Sequence, residues 1–156
     1  MIPQDSLSPG SGRDNMWIER FIQDFGVRFP LLRRLGEKKM GRDVWLGTKP
    51  AITFDKLKMV RAGLRAFRTF KHGYKPTTNL VQLTGVPEHR AVTVNQAEAM
   101  DFIQGKDLKL DVKIDPGFVI ITYAGFSLGV GRYRDGRIKN QVPRARRVRK
   151  GLRGEI

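Results

Sequence analysis

Apolar positions recur at intervals of three and four near the start of the chain and in alternation or short runs near its end. The pattern predicts helices first and a sheet last. Trp17, Ile18, Phe21, Ile22 and Phe25 make one helical stripe, with Asp14 placed to cap it and Gly26 to stop it. Pro30 fits the first turn of a second short helix that buries Leu31, Leu32 and Leu35 and ends before Gly36. Residues 43–47 (DVWLG) read as a strand. The block from Lys56 to Phe70 fits two periods. Leu57, Val60, Leu64 and Phe67 repeat as on a helix, whereas Val60, Ala62, Leu64 and Ala66 alternate as on a strand and Gly63 disfavours a helix interior; periodicity alone leans to the helix. Further on, Pro76-Thr77-Thr78 opens a short helix through Leu80, Val81 and Leu83, closed by Gly85. Residues 91–94 form a strand. Asn95 caps a helix over 96–104 with Ala99, Met100 and Ile103 inward and Gly105 behind it.

The last third carries the strongest strand signal. Val119 to Tyr123 is β-branched and aromatic, Ala124-Gly125 makes a tight turn, and Leu128, Val130 and Tyr133 restart the alternation. Gly129 and Gly131 leave the returning strand without side chains at two points, as a bulge or a close backbone approach requires. Such a bare sheet edge, flanked by Arg132, Arg134, Arg137 and Lys139, is where a sugar-phosphate backbone would lie. The elements together give an α+β fold.

Charge changes this picture more than composition does. The 156 residues hold 30 Lys and Arg against 15 Asp and Glu, a net charge of +15 that points to a polyanionic partner. The excess falls in two blocks, 56–75 and 132–153, separated by a stretch with slightly more acids than bases. A solubility device would scatter it. Aromatics interleave with both blocks and offer stacking platforms: Phe67, Phe70 and Tyr74 in the first, Tyr133 in the second. Core packing is the competing role for each of them. From the first block, Arg65, Arg68, Lys71, Tyr74 and Lys75 are candidate contacts with nucleic acid.

Catalytic chemistry finds no foothold. The sequence has no cysteine, which excludes disulfides, thiolate metal sites and a cysteine nucleophile. His72 and His89 stand apart without carboxylates at metal-ligand spacing and read as surface residues. Asp107, Asp111 and Asp115 lack the loop glycine of a calcium site and read as a solvated acidic loop. Gly129-Val130-Gly131 does not open a helix, so it is no dinucleotide loop, and Ser127 has no nucleophile elbow around it. No cofactor is expected. No apolar run approaches the roughly 20 residues that span a bilayer. The first thirteen residues lack the features of a signal peptide and read as a disordered leader. Aromatics that would make an interfacial face are dispersed, which weighs against a membrane partner. A cytoplasmic protein is expected.

Residues 117–120 (GFVI), 125–131 (GFSLGVG) and 136–143 (GRIKNQVP) resemble the RNA-binding PUA-like region at the C-terminus of RsmF-type cytosine-5 rRNA methyltransferases. That family shows a strand, a G-x-x-L-G-x-G turn and strand, then G-R-[LIV]-K-N-x-x-P. The helix over 95–105 is similar to the family's, and residues 60–64 and 74–80 look like the segment that precedes the module. The resemblance covers about residues 40–148. A comparable layout, an α/β half before a PUA module, is similar to that of ribosome-biogenesis factors of the large-subunit precursor. The resemblance implies a strand over 57–70. It also implies an α/β subdomain over 14–88 and a PUA-like β pseudobarrel over 89–150, and the Gly-containing tail over 151–156 reads as mobile.

The same resemblance implies that Arg132, Arg137, Lys139 and Asn140 face RNA, with Arg144, Arg146, Arg147 and Arg149 extending the track. Asn140 has an alternative role as a cap for the turn before Pro143. The chain departs from the family in having no room for an S-adenosylmethionine-binding domain and no cysteine nucleophile. The expectation is therefore a stand-alone, non-catalytic module that binds structured rRNA, or tRNA, in ribosome biogenesis or RNA modification, beside a methyltransferase or a pre-ribosomal protein. Its rivals are a small RNA-modifying enzyme and a structural pre-ribosomal adaptor.

Overall fold

The computed structural model describes residues 16–52 and 63–149. Helix α1, Met16–Phe25, forms on the expected stripe and buries Ile18, Phe21 and Phe25. Its N-terminus is capped from a distance. The buried Glu37 carboxylate accepts hydrogen bonds from the backbone N–H of Trp17 and of Ile18, each at 2.9 Å. An anion there satisfies orphan donors and complements the helix dipole. Asp14, the expected cap, lies outside the described residues.

The second short helix is corrected to a single 3₁₀ turn, Pro30–Arg34, in which Leu32 is buried and Leu31 is exposed. Leu35 instead opens strand β1, Leu35–Met40, which carries Glu37. Strand β1 pairs with β2 (Asp43–Thr48), β2 with β3 (Leu64–Phe70) and β3 with β4 (Gly73–Pro76). The result is an antiparallel meander. Helix α2, Lys49–Ile52, follows β2. Residues 64–70 are thus strand, as the resemblance implied. The register shows why their periodicity misled. Val44 pairs with Phe67 and Trp45 with Arg65, so Ala66 is an extra residue on β3. Ala66 and Phe67 are consequently both buried and the alternation breaks. Lys56, Lys58 and Arg61 lie outside the described residues.

Helix α3, Thr78–Thr84, starts at Thr77, whose hydroxyl accepts from Leu80 N–H, and packs against both β3 and the strand Phe126–Arg134. The second sheet begins with β5 (Ala91–Thr93). A capping box between Asn95 and Glu98 starts helix α4, Gln96–Ile103. The buried residues of α4 are Ala99 and Phe102, whereas the expected Met100 and Ile103 sit half-buried on its flanks. Strands β6 (Leu108–Lys109), β7 (Gly117–Tyr123), β8 (Phe126–Arg134) and β9 (Arg137–Asn140) complete a curled half-barrel in the order β5-β7-β8-β9-β6. In it β5 runs parallel to β7 and the other pairs are antiparallel. A 3₁₀ turn, Arg144–Arg146, follows. The fold is α+β, as expected.

Strand β7 is buried on both faces, which explains its continuous apolar run. Ile120 joins Val130, Phe21, Phe67 and Leu80 in a core shared by the two sheets. Val119 and Ile121 point the other way, into a second core with Phe102, Ile138 and Val142. The glycine pair on β8 belongs to that second core. A Cβ on Gly129 would stand 2.8 Å from Val142 Cγ2, and one on Gly131 would collide with Ile138 Cγ2. β8 is an interior strand, so the expectation of a bare edge awaiting a sugar-phosphate backbone is corrected. The close approach is real, and the approaching groups are the protein's own.

Candidate nucleic-acid interface

With Gly129, Gly131 and Tyr133 facing the second core, alternation turns Val130, Arg132 and Arg134 to the opposite face. Cross-strand register adds their neighbours. Phe118 pairs with Arg132, Arg132 with Lys139, and Arg134 with Arg137. One face of the sheet is therefore apolar at Ile120 and Val130, where the first sheet covers it, and basic where it emerges. Arg132, Arg134, Arg137 and Lys139 are all exposed. Like charges directly opposite one another destabilise a sheet. Nearby relief is slight: Arg134 Nε stands 3.6 Å from Asp135 Oδ2, with both side chains in solvent. An arriving polyanion would remove this repulsion. The Asp135-Gly136 turn, with φ of +49° and +75°, is the left-handed two-residue hairpin that fixes the ladder's register.

At its Arg132 end the ladder opens into a cleft of about 670 Å³, bounded by α1, the β3–β4 turn and the start of β7. Arg20, Lys71, Arg90 and Arg132 line it, with Asp24 as the one carboxylate among the lining residues. The rings of Phe70 and Phe118 stack there, with centroids 6.2 Å apart and planes 21° from parallel. The Arg132 guanidinium lies 5.8 Å from the Phe118 centroid. Arg90 holds the start of β7. Its Nε donates to Phe118 O at 2.7 Å and its Nη2 to Asp115 O at 2.8 Å, from a backbone at φ +59°.

The first basic block supplies a third patch. Arg65 and Arg68 flank Asp43 at 3.7 and 3.8 Å, and Lys75 is the register partner of Arg68. Burial, and then the positive charges of Arg68 and Arg65, hold the Lys75 ammonium below its ordinary pKa. Lys75 Nζ reaches Gln141 Oε1 at 3.4 Å, which ties this patch to the second sheet.

Several expected contacts are engaged inside the protein. Asn140 is buried. Its Nδ2 donates to Phe102 O at 2.7 Å and Lys106 O at 2.9 Å, and its Oδ1 accepts from Val142 N–H at 2.8 Å. It pins the end of β9 to the α4 terminus and so fills the capping role that was the alternative to RNA contact. Tyr74 is buried as well. Its hydroxyl donates to Asp24 Oδ2 at 2.8 Å, Trp17 and Phe67 meet its ring, and the Arg20 guanidinium lies 5.0 Å from its centroid. Burial first, and the bond to Asp24 second, push its phenol well above the usual range. A base cannot stack on it. Tyr133 is likewise buried, donating to Asp111 at 3.0 Å, and Phe67 is wholly inside.

The segment after β9 divides. The Arg146 guanidinium binds Asn79 and Gln82 on α3, and Arg147 Nε donates to Val142 O at 3.0 Å; Arg144, Arg146 and Arg149 are all exposed. The acids of 107–115 are partly structural. Asp107 accepts from Asn140 N–H and Asp111 from the Tyr133 hydroxyl. His72 and His89 are exposed, and no group of three or more His, Cys, Asp or Glu among the described residues is arranged to hold a metal. Sequence reasoning missed Arg20, Arg90 and Phe118. Arg90 stood in the acid-leaning middle stretch and Arg20 in a helix read only for its apolar stripe. The available signal was Phe118, which the hairpin register sets opposite Arg132.

Comparison with known proteins agrees with the resemblance noted above. Residues 89–148 match the family model of the methyltransferase RsmF PUA domain. The chain is 29% identical over 126 residues to ribosomal RNA small subunit methyltransferase F of Shewanella woodyi, a match that covers 80% of this chain and 26% of the relative. The protein of the same name from Aeromonas hydrophila is 34% identical over 90 residues, covering 57% of this chain and 19% of the relative. That of Shewanella oneidensis is 28% identical over 128 residues, covering 80% and 26%. The chain thus spans about a quarter of the length of the two Shewanella relatives.

Proposed function

We propose, from the match of residues 89–148 to the methyltransferase RsmF PUA domain, that this chain binds structured ribosomal RNA and serves its modification. The observation that carries the reading is the ladder of Arg132, Lys139, Arg134 and Arg137, four exposed cations paired across β8 and β9. Phosphates spaced along an RNA backbone relieve that repulsion and release counterions on binding. Arg65, Arg68, Lys71 and Lys75 widen the basic surface on the first sheet, and Arg144 and Arg149 lengthen it. The relatives' name supports ribosomal over transfer RNA.

Binding is the role we assign to these residues. The sequence has no cysteine for the nucleophilic chemistry that the resemblance implies. The modifying active site is then supplied by a methyltransferase domain or partner, with the present surface setting the RNA's position. The test is a fluorescence-anisotropy titration with a labelled small-subunit rRNA hairpin over a salt series, with transfer RNA as competitor. Replacing Arg132, Arg134, Arg137 and Lys139 by Gln is expected to flatten the log–log salt slope by about 3 to 4 units, at about 0.7–0.9 per contact. An unchanged slope would remove the ladder from the interface, and equal competition by transfer RNA would remove the assignment to rRNA.

A further inference from the structure

We propose that the cleft beside the ladder receives one unpaired nucleotide of the RNA, its base stacked on Phe70 and its phosphates held by Arg20, Lys71 and Arg132. The inference rests on the RNA-binding reading and deepens it by naming a second kind of contact.

The argument begins with Phe70. It is 46% exposed at the end of β3, among the largest apolar side chains that the described residues leave in solvent. Phe118 lies nearly parallel to it and is half-buried against the first core, so packing accounts for Phe118. Packing does not account for Phe70, which presents an exposed ring beside the cleft's cations. A ring backed by a parallel neighbour is a platform for a third planar group, and every nucleobase has a face to lay on it.

Charge and size narrow the ligand. Around the stacked pair stand Arg20, Lys71, Arg90 and Arg132, while Asp24 is already engaged by the Tyr74 hydroxyl. This is a site for an aromatic ring that carries an anion. A volume of about 670 Å³ suits a nucleotide-sized group and is far too small for a double helix. Only a base taken out of its stack can enter, as in a loop or bulge. Continuity completes the case. Arg132 lines the cleft and is also the first cation of the ladder, so a backbone following the ladder arrives at the cleft mouth.

The experiment uses the full chain and two RNAs. One is a hairpin with 2-aminopurine at one unpaired loop position, and the other is a fully paired duplex of the same length. We expect tighter binding of the hairpin and quenching of 2-aminopurine on binding. Phe70→Leu keeps the apolar bulk against Phe118 but removes the flat ring. It should weaken hairpin binding by about 5- to 100-fold, abolish the quenching and leave the salt slope unchanged, because no charge is lost. Phe70→Trp should restore both. Equal affinity for hairpin and duplex, or quenching that persists in Phe70→Leu, overturns the nucleotide site while salt-dependent binding keeps the RNA reading standing. Failure to bind either RNA at low salt overturns both.

Discussion

Ile138 fills the space that a side chain at position 131 would need: a Cβ built on Gly131 would run into its Cγ2. The two residues lie on adjacent strands of the second sheet, and Ile138 is wholly buried. Gly131→Ala should therefore destabilise the protein by about 1–3 kcal/mol through overpacking. Ile138→Ala, which removes the clashing Cγ2, should cost less stability in the Gly131→Ala chain than in the parent. A double-mutant cycle of urea midpoints measures the coupling, and strict additivity would mean that the two positions do not compete for space.

Asn140 makes a different kind of prediction, because it was a candidate for RNA contact and proves to be a brace. Asn140→Ala leaves Phe102 O, Lys106 O and Val142 N–H without the partners they have now. Unsatisfied buried groups cost about 1–3 kcal/mol each, so a large fall in thermal stability is expected. RNA affinity measured well below the melting transition should stay within about twofold of the parent. A selective loss of affinity at full folding would return Asn140 to the interface.

Tyr74 sets a pH dependence. Its folded-state pKa lies above the unfolded value near 10, so between those values the folded chain holds a proton that the unfolded chain has lost. The contribution to stability is complete below about pH 10 and declines as pH rises beyond it. Unfolding free energy from pH 8 to 11 should fall more steeply for the parent than for Tyr74→Phe. Parallel curves would show that burial and Asp24 do not hold the phenol neutral.

The arginines after β9 should separate into two classes. Arg144→Gln and Arg149→Gln remove exposed charge and should lower the RNA salt slope by about 0.7–0.9 each. Arg146→Gln, which strips the guanidinium from Asn79 and Gln82, should in addition loosen α3 and lower the melting temperature. Slope and melting temperature, measured on the three variants, distinguish the classes.

What the sequence revealed, and what it hid, follows from the range of each interaction. The stripe of α1 and the run of β7 were legible because a helix or a doubly covered strand writes its own burial into consecutive residues. Strand β1 was not, since Glu37, Lys38 and Lys39 look like a solvated loop until Glu37 is seen capping a helix twenty residues away. Helix α4 offered Met100 and Ile103 at spacing as good as that of Phe102, and only the sheet beneath selects among them. Charge blocks identified the ladder residues correctly as exposed, because charge near a strand end has few places to go. The cleft was invisible, for it joins Arg20, Phe70, Arg90 and Phe118 from four separate elements or turns. The glycine pair was read as an opening for a ligand, and the occupant turned out to be Ile138 and Val142.

The double burial of β7 bears on how this chain can be cut. A fragment begun at residue 89, where the family match starts, would leave behind α1 and the first sheet, and with them the cover over Ile120 and Val130. It would also lose the hydrogen bonds that Glu88 and His89 N–H donate to Gly26 O and Phe25 O. Such an excised module would carry an apolar strip beside its basic ladder, and its adhesion to other molecules would be mistaken for affinity. The unit that keeps both of its cores covered begins with α1.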